Sequence, residues 1–400
     1  MNRKRIAIFI TALIIGVVSL VIHLNASAGV AEVYIVGGET VVLGGEGSSM
    51  VGEYPNPVPA GPGVREIVLG YTCIGTETLF GEIFPSFARY WEEITGEKVR
   101  FITGWNGIGI DGVASYVYGK PVQATILTAN TNALSRRYSE TKWQKTGNKG
   151  IVYSYPYVFL VRKGNPKNIH SYADLTRPDV EVVHVDPLGS HGGSSNIFSL
   201  YGTVLRESEQ KTGKKDYAAA AEFLRQVEEK AILRFGSKTA RMDFTKGLGD
   251  VLMIMEPRAR AAAAKNDSVE IVYPSNTFMT SLKVYKMKKN IAKKDEELID
   301  AFIDFLFTEE SQEAFAKAGY RPSDPNVMAN HPEFPPLPGV FGMDYLGEPT
   351  RMIKQLVLEK WIKIKNDKKP DDEKIKVYKS PDNKVPAASN LLIQQALPEE

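Results

Sequence analysis

Cysteine is almost absent from this chain, since Cys73 is the only one among 400 residues. A single thiol cannot form an intrachain disulfide, and it cannot supply a cysteine-based zinc site. Histidine is also scarce: none of the five histidines lies in an H-E-x-x-H pattern or another metal-binding spacing. The sequence therefore predicts no metal and no other cofactor, and a fold that depends on its apolar core.

Neither sign of charge dominates, with 49 basic and 47 acidic residues and a formal net charge of +2. This balance excludes the strongly basic surface that is typical of nucleic-acid-binding proteins. A G-x-S-x-G nucleophile elbow is absent as well. Cys73 follows a predicted strand, but a buried cysteine is inert unless its thiolate is stabilised. We therefore expect a protein that binds no nucleic acid and is not an enzyme.

The first 28 residues have the three parts of a secretory signal peptide. A basic MNRKR start precedes an apolar run over residues 6–24, and Ala26-Ser27-Ala28 is an A-x-A cleavage site. The apolar run is also just long enough to span a bilayer, which leaves an uncleaved membrane anchor open. Both alternatives predict a periplasmic or otherwise extracytoplasmic protein.

Two segments of unusual composition flank the central part of the chain. Residues 29–64 are rich in glycine and proline, which predicts an extended arm with a short strand at residues 33–36. Residues 366–400 are charged and contain prolines, which predicts a loose tail. These segments could space the protein from a membrane or dock a partner, so a surface sensor or structural protein is an alternative function.

Between these segments, short apolar runs alternate with helical patterns. Alternation of this kind predicts an α/β fold with parallel or mixed sheets covered by helices. The predicted strands are 67–71, 98–103, 123–128, 151–162, 180–185, 232–235, 251–255, 269–273 and 282–286. The predicted helices are 80–95, 194–209, 217–230, 239–246, 296–318 and 345–365.

One stretch, FLVRKGNPKNIHSYADLTRPDV at residues 159–180, joins an apolar β-type run to a basic turn and a short helical run. It resembles the interdomain crossover of the periplasmic sulfate-binding proteins of ABC importers. The same order of motifs continues with SHGG at 190–193, GLGDVLMIMEPRA at 247–259 and GYRPSDP at 319–325. The resemblance is continuous over residues 153–325 and weaker over residues 67–127.

This resemblance implies a type II periplasmic-binding-protein fold, with two α/β lobes, mixed sheets flanked by helices, a hinge and a ligand cleft between the lobes. Lobe 1 would comprise residues 65–160 and 269–365, and lobe 2 would comprise residues 161–268. The implied function is capture of a tetrahedral oxyanion, with sulfate or thiosulfate favoured. The implied partner is the permease of an ABC transporter in the membrane, to which a monomer delivers the anion.

Four loops rich in Gly, Ser, Thr and Asn follow predicted strands and precede helical patterns. Backbone N–H groups at helix N-termini can bind an anion, glycine permits close approach, and hydroxyl groups add donors. The candidate ligand-binding residues are Thr72, Gly75 and Thr76; Asn106, Gly107 and Gly109; Ser190, His191, Gly192, Gly193 and Ser194; and Gly236, Ser237 and Lys238. Ordinary capped helix starts would have the same composition, so that alternative stays open.

The chain departs from the family's pattern at three points. Thr72-Cys73 stands where the family has an aspartate after the first strand, and Gly109 falls near a ligand-binding serine. Met255, a further candidate, takes the place of a donating tryptophan, and methionine cannot donate a hydrogen bond. The departures leave phosphate, molybdate and tungstate open as ligands. Glu77 or Asp111 facing the ligand would favour phosphate, which keeps a proton that a carboxylate accepts.

Overall fold

The structure is a computed structural model that describes residues 32–36, 39–43, 61–71, 75–105, 116–117, 120–128, 142–145, 149–188, 191–370 and 374–375. The predicted signal peptide and most of the predicted tail lie outside these residues, so both stay predictions. None of the helices in the described ranges combines the length and the apolar character needed to cross a membrane.

The nine strands predicted in the α/β part of the chain are all present, and two of them, β8 and β11, have the predicted bounds. The strands are β1 (Glu32–Val36), β2 (Glu39–Leu43), β3 (Arg65–Tyr71), β4 (Val99–Trp105), β5 (Tyr116–Val117), β6 (Lys120–Pro121), β7 (Ala124–Thr128), β8 (Ile151–Arg162), β9 (Val182–Val185), β10 (Ile232–Arg234), β11 (Val251–Met255), β12 (Val269–Val272), β13 (Met279–Lys286) and β14 (Arg321–Pro322). β1 and β2 pair as an antiparallel hairpin, which confirms the short strand expected in the arm and adds its partner.

The helices are numbered in chain order. Helix α1 begins as Thr76–Thr78, continues through a π-helical stretch at Leu79–Ile83 and ends as Phe84–Thr95. The next helices are α2 (His191–Thr212), α3 (Tyr217–Glu228), α4 (Ser237–Thr245), α5 (Glu256–Ala263), α6 (Glu296–Phe305), α7 (Glu309–Lys317), α8 (Pro325–Ala329) and α9 (Met343–Leu346). The final helix, α10, comprises Pro349–Met352, the π-helical Ile353–Trp361 and Ile362–Asn366.

Strand β8 joins the two halves of the molecule. Within the described ranges, ten strands form one mixed sheet in the order β10-β9-β11-β8-β13-β7-β3-β4, and β12 and β14 also pair with β8. The first half of β8 pairs with β13, and its second half pairs with β11 and β12. One long strand therefore belongs to two smaller sheets, as the predicted crossing strand requires.

The first half has an aromatic core beneath helix α1. The rings of Phe84 and Phe101 stack with their centroids 3.9 Å apart, and Phe87 packs edge-on against Phe302 of helix α6 at 5.2 Å. All four side chains are at most 3% exposed. Their burial fixes α1 against the sheet and so fixes where its N-terminus points.

Two predicted element assignments need correction. The single helix predicted over residues 296–318 is two helices, because the extended residue Thr308 ends the first and caps the second by accepting from the N–H of Ser311. The strand at β12, predicted to return to the first half, pairs with the second half of β8, with Val269 opposite Arg162. It follows α5 after a short turn, which holds it in that half.

The final helix also packs against the second half, although the boundary at residue 365 assigns it to lobe 1. The indole nitrogen of Trp361 donates to Glu228 Oε2 at 2.7 Å, and Lys365 lies 3.3 Å from the same carboxylate oxygen. Glu228 Oε1 lies 2.8 Å from Nε2 of His184, and both side chains are fully buried. This buried polar cluster ties α10 to α3 and β9.

Candidate functional site

The strand directions create a crevice at the middle of β8. β3, β4 and β7 are mutually parallel, and so are β9, β10 and β11. β13 is antiparallel to both β7 and β8, so the first group runs with β8, whereas β11 runs against it. The carboxyl ends of the two groups therefore face each other where Met255 pairs with Tyr157. Such crevices are the usual ligand sites of open α/β sheets.

Helix α1 starts at this crevice. Gly75 precedes it with a φ of +85°, and the N–H of Leu79 donates to the Gly75 carbonyl at 2.9 Å. A Cβ atom on Gly75 would lie 2.4 Å from the hydroxyl oxygen of Tyr153 on β8. Glycine is therefore required on both counts. The N–H groups of the first turn, beginning at Thr76, have no intrahelical acceptor and are open to a ligand.

Helix α2 starts beside the end of β9, with Gly192 and Gly193 buried in its first turn. A Cβ atom on Gly193 would lie 2.1 Å from the carbonyl oxygen of Asp186. The Ser194 hydroxyl donates to the carbonyl of Pro187 at 2.9 Å. A hydroxyl has one proton, and in this arrangement the Ser194 hydroxyl donates it to Pro187.

The Asp186 carboxyl is the acidic group nearest in sequence to this helix start. Its Oδ1 accepts from the N–H of Leu188 at 2.8 Å. Burial raises the pKa of Asp186, and the negative charge of Glu228 adds to that rise, while the Leu188 hydrogen bond and His184 oppose it.

Helix α4 follows β10 and brings a third N-terminus to the same edge. Its cap residue Gly236 is extended and buried, and Ser237 is 9% exposed. The end of β10 is held against β9, because the N–H of Asp186 donates to the carbonyl of Arg234 at 2.8 Å. Lys238, predicted as a basic contact, is exposed. It can reach a ligand only by turning inward from solvent.

Helix α5 brings the fourth N-terminus, directly after Met255. Glu256 in its first turn is fully buried and forms a two-point ion pair with Arg321 of β14, at 2.7 and 3.0 Å. Burial, followed by the negative charge of Glu256, raises the pKa of Tyr273 to about 12. Arg321 pairs along the first half of β8, so this ion pair connects the two halves.

A second ion pair connects the starts of α1 and α5. Arg258 lies 3.4 Å from Glu77, and their side chains are 20% and 39% exposed. This contact places the first turn of α1 next to the helix start that follows Met255. It also gives Glu77, which the sequence left open as a ligand acceptor, a cationic partner in the protein.

The site can attract an anion without a free basic side chain. Four helices, α1, α2, α4 and α5, begin after strands whose carboxyl ends face the crevice, and each N-terminus contributes partial positive charge and N–H donors. A separate cavity between α1 and α7 is unsuitable for an anion, since Glu82, Glu309, Glu310 and Glu313 contribute to its lining.

The predicted site residues divide into two groups. Gly75, Gly192, Gly193, Ser194, Gly236, Ser237 and Met255 lie at the four helix starts, and Thr76 and His191 begin α1 and α2. Thr72, Asn106, Gly107, Gly109, Ser190 and Asp111 lie outside the described residues, as do the side chains of Thr76 and His191. Roles in binding stay predictions for all of them.

Two features of the site were missed by the sequence interpretation. The interhalf pair of Glu256 and Arg321 had no local signal, because its members lie far apart in the chain. Asn196 of α2 is 1% exposed, and neither its amide nitrogen nor its amide oxygen has a hydrogen-bond partner among the described residues. Its place within the third predicted loop, at residues 189–196, was a signal for it.

Comparison with known proteins gives one family. The family model described as "Bacterial extracellular solute-binding protein" matches residues 71–321. The chain is 30% identical over 280 residues to the "Sulfate-binding protein" of Escherichia coli K12, covering 67% of this chain and 83% of that protein. It is 30% identical over 262 residues to the "Thiosulfate-binding protein" of the same bacterium, covering 62% and 75% of the two chains.

Among solved structures, the sulfate-binding protein SubI from Mycobacterium tuberculosis H37Rv superposes with a TM-score of 0.57 and 26% sequence identity. The match covers 73% of this chain and 98% of that one. Nearly the whole of that protein therefore has a counterpart here.

Proposed function

Because the chain belongs to the bacterial extracellular solute-binding proteins, we propose that it captures a tetrahedral oxyanion outside the cytoplasm, with sulfate or thiosulfate favoured. It delivers the anion to the permease of an ABC importer. The chain has the type II periplasmic-binding-protein fold. It acts as a monomer, without catalysis and without a cofactor.

The two halves joined by β8 are the two lobes of this mechanism. Lobe 1 contains β3, β4, β7, β13 and the first half of β8. Lobe 2 contains β9 to β12, the second half of β8 and helix α10. The anion enters the crevice at the middle of β8, and rotation about the strands that cross there closes the lobes over it. Closure replaces the water around the anion with fixed N–H donors.

The observation that carries the proposal is that four helices begin after strands whose carboxyl ends face the crevice. Gly75 and Gly193 lie so close to Tyr153 and Asp186 that only a residue without a side chain fits. This close packing fixes the helix starts relative to the sheet. Preorganised N–H donors bind an anion without the cost of ordering them on binding.

The ion pairs of Glu77 and Glu256 favour sulfate or thiosulfate over phosphate. Sulfate is fully ionised and needs donors only, whereas hydrogen phosphate gains from a free carboxylate acceptor. Glu77 is occupied by Arg258, and Glu256 by Arg321. Neither carboxylate is therefore offered to a ligand proton.

The test is calorimetric titration of the purified full chain with sulfate, thiosulfate, phosphate and molybdate, with chloride at equal ionic strength as the control. We expect saturable binding of sulfate or thiosulfate. A ligand at about 100 times its Kd should also raise the free energy of unfolding by about 2.7 kcal/mol, which thermal unfolding detects. Binding of phosphate alone would contradict the choice of anion, and binding of none would favour a surface sensor or structural role.

A further inference from the structure

Asn196 is a buried polar group without a hydrogen-bond partner among the residues that the structure describes. Its side chain is 1% exposed, and both amide atoms lack a hydrogen bond within the described part of the chain. Leaving a buried donor or acceptor unpaired costs about 1–3 kcal/mol. Buried polar groups in proteins are nearly always paired with protein, water or ligand. A partner from outside the chain is therefore expected at this carboxamide.

The position of Asn196 on α2 indicates where that partner lies. Residues three and four apart share a helix face, so Asn196 lies between Gly192, in the first turn, and Ser199. Tyr172, which hydrogen-bonds to Ser199, also bonds to Thr277, with 2.9 Å between the two hydroxyl oxygens. This face of α2 thus extends from the helix start at the crevice to the segment beside β8.

The segment on that side reaches the middle of β8 itself. The Thr277 hydroxyl donates to the carbonyl of Tyr157 at 2.7 Å, and Tyr157 is the residue opposite Met255. Asn196 therefore lies one turn from the start of α2, on the helix face whose Ser199 is linked through Tyr172 and Thr277 to the point where the strand ends meet. Met255 at this point cannot donate a hydrogen bond through its side chain.

We propose that the Asn196 carboxamide binds the oxyanion, with its NH2 group donating to an anion oxygen. This inference rests on the proposed function and names a residue that sets its selectivity. A neutral amide donates to fully ionised sulfate without needing a counter-charge. A carboxylate at the same position would repel sulfate and would accept the proton of hydrogen phosphate.

Three variants test this role by calorimetry with sulfate and phosphate. Asn196→Leu keeps the approximate volume and removes both amide groups, and we expect it to weaken sulfate binding by about 10- to 100-fold. Asn196→Asp should weaken sulfate binding more than Asn196→Leu does. It should lose less affinity for phosphate than for sulfate. The control is Ser199→Ala, one turn along the same face, whose hydroxyl already donates to Ser195 at 2.8 Å; it should keep sulfate affinity within about twofold.

A measurement on the wild-type protein tests the same role without depending on whether a variant folds. The side-chain NH2 resonances of Asn196 in a 15N-correlated NMR spectrum should move on addition of sulfate and saturate with the calorimetric Kd. Two results would overturn the role of Asn196 alone. One is an unchanged sulfate affinity in Asn196→Leu, and the other is a wild type that binds sulfate without any shift of the Asn196 resonances. A wild type that binds no oxyanion at all would overturn the proposed function together with this inference.

Discussion

The most demanding prediction concerns the buried carboxylate of Glu228. It is fully buried, pairs with His184 and accepts from the Trp361 indole, so three elements of the second half depend on it. Replacement by glutamine, Glu228→Gln, keeps the shape and one oxygen acceptor but removes the negative charge. Lys365 then loses the charge that balances it, and His184 loses its carboxylate partner.

The magnitude follows from the pKa of this carboxyl. Burial alone would raise it, but the charge of His184, its hydrogen bond and the charge of Lys365 outweigh burial and lower the pKa from 4.5 to about 2. At about 1.4 kcal/mol for each pKa unit, the charged form of Glu228 stabilises the fold by about 3 kcal/mol. Breaking a buried ion pair by removal of one partner costs about 3–5 kcal/mol, which agrees.

The sign of the pH dependence separates this reasoning from a general loss of packing. A lowered folded-state pKa contributes stability that is complete above the unfolded value of 4.5 and is lost as pH falls toward about 2. We therefore expect Glu228→Gln to cost about 3 kcal/mol at pH 7. Below about pH 4, the wild type should approach the variant by about 1.4 kcal/mol per pH unit.

Urea unfolding followed by tryptophan fluorescence and circular dichroism, repeated between pH 7 and pH 3, measures both quantities. The control is Glu222→Gln. Hydrogen bonds from Arg225 lower the pKa of Glu222 to about 2 as well, but this side chain is 51% exposed and its ion pair is screened by water. A Glu228→Gln variant that matches this control, or whose cost is the same at every pH, would refute the argument.

Two further substitutions probe the crevice and the connection between the halves. Gly193→Ala puts a methyl group 2.1 Å from the Asp186 carbonyl oxygen, so it should displace the start of α2. We expect calorimetry to show sulfate binding weakened at least about tenfold. The control is Gly81→Ala, which should leave sulfate binding unchanged because no atom lies within 4 Å of the added carbon. Arg321→Met leaves Glu256 buried without its cation and should lower the free energy of unfolding by about 3–5 kcal/mol, measured by urea titration at pH 7.

Strands that are buried on both faces were predictable to the residue. β8 and β11 consist almost wholly of apolar and aromatic residues. A turn that contains Lys163 and Gly164 follows β8. Such runs leave little choice of structure or of bounds. Helix α5 was not predicted from the sequence. Its start nevertheless has a sequence signal, since Pro257 in the first turn is typical of a helix N-terminus.

Long-range pairing was not predictable in this way. The apolar stripe of residues 296–318 continues through the break, and only the cap at Thr308 reveals that two helices share it. The attachment of α10 depends on Trp361 reaching Glu228, which is 133 residues away in the chain. A sequence pattern records which face is apolar but not which partner covers it.

The same distinction applies within the site. Glycines at strand ends predicted the starts of α1, α2 and α4, where backbone N–H groups need no particular side chain to bind an anion. Whether a polar group is free is a tertiary property: the Ser194 hydroxyl donates to the Pro187 carbonyl, whereas neither amide atom of Asn196 has a hydrogen-bond partner among the described residues. The residues that a sequence marks as polar and close to glycine are therefore candidates, and the hydrogen-bond network decides among them.

The two ion pairs between the halves differ in what separation would cost. Arg321 and Glu256 are 6% and 0% exposed, and parting them would leave buried charges unpaired, at about 3–5 kcal/mol. Arg258 and Glu77 are partly exposed, and such a pair contributes at most about 1 kcal/mol. Opening of the crevice would therefore pivot about the first pair and break the second.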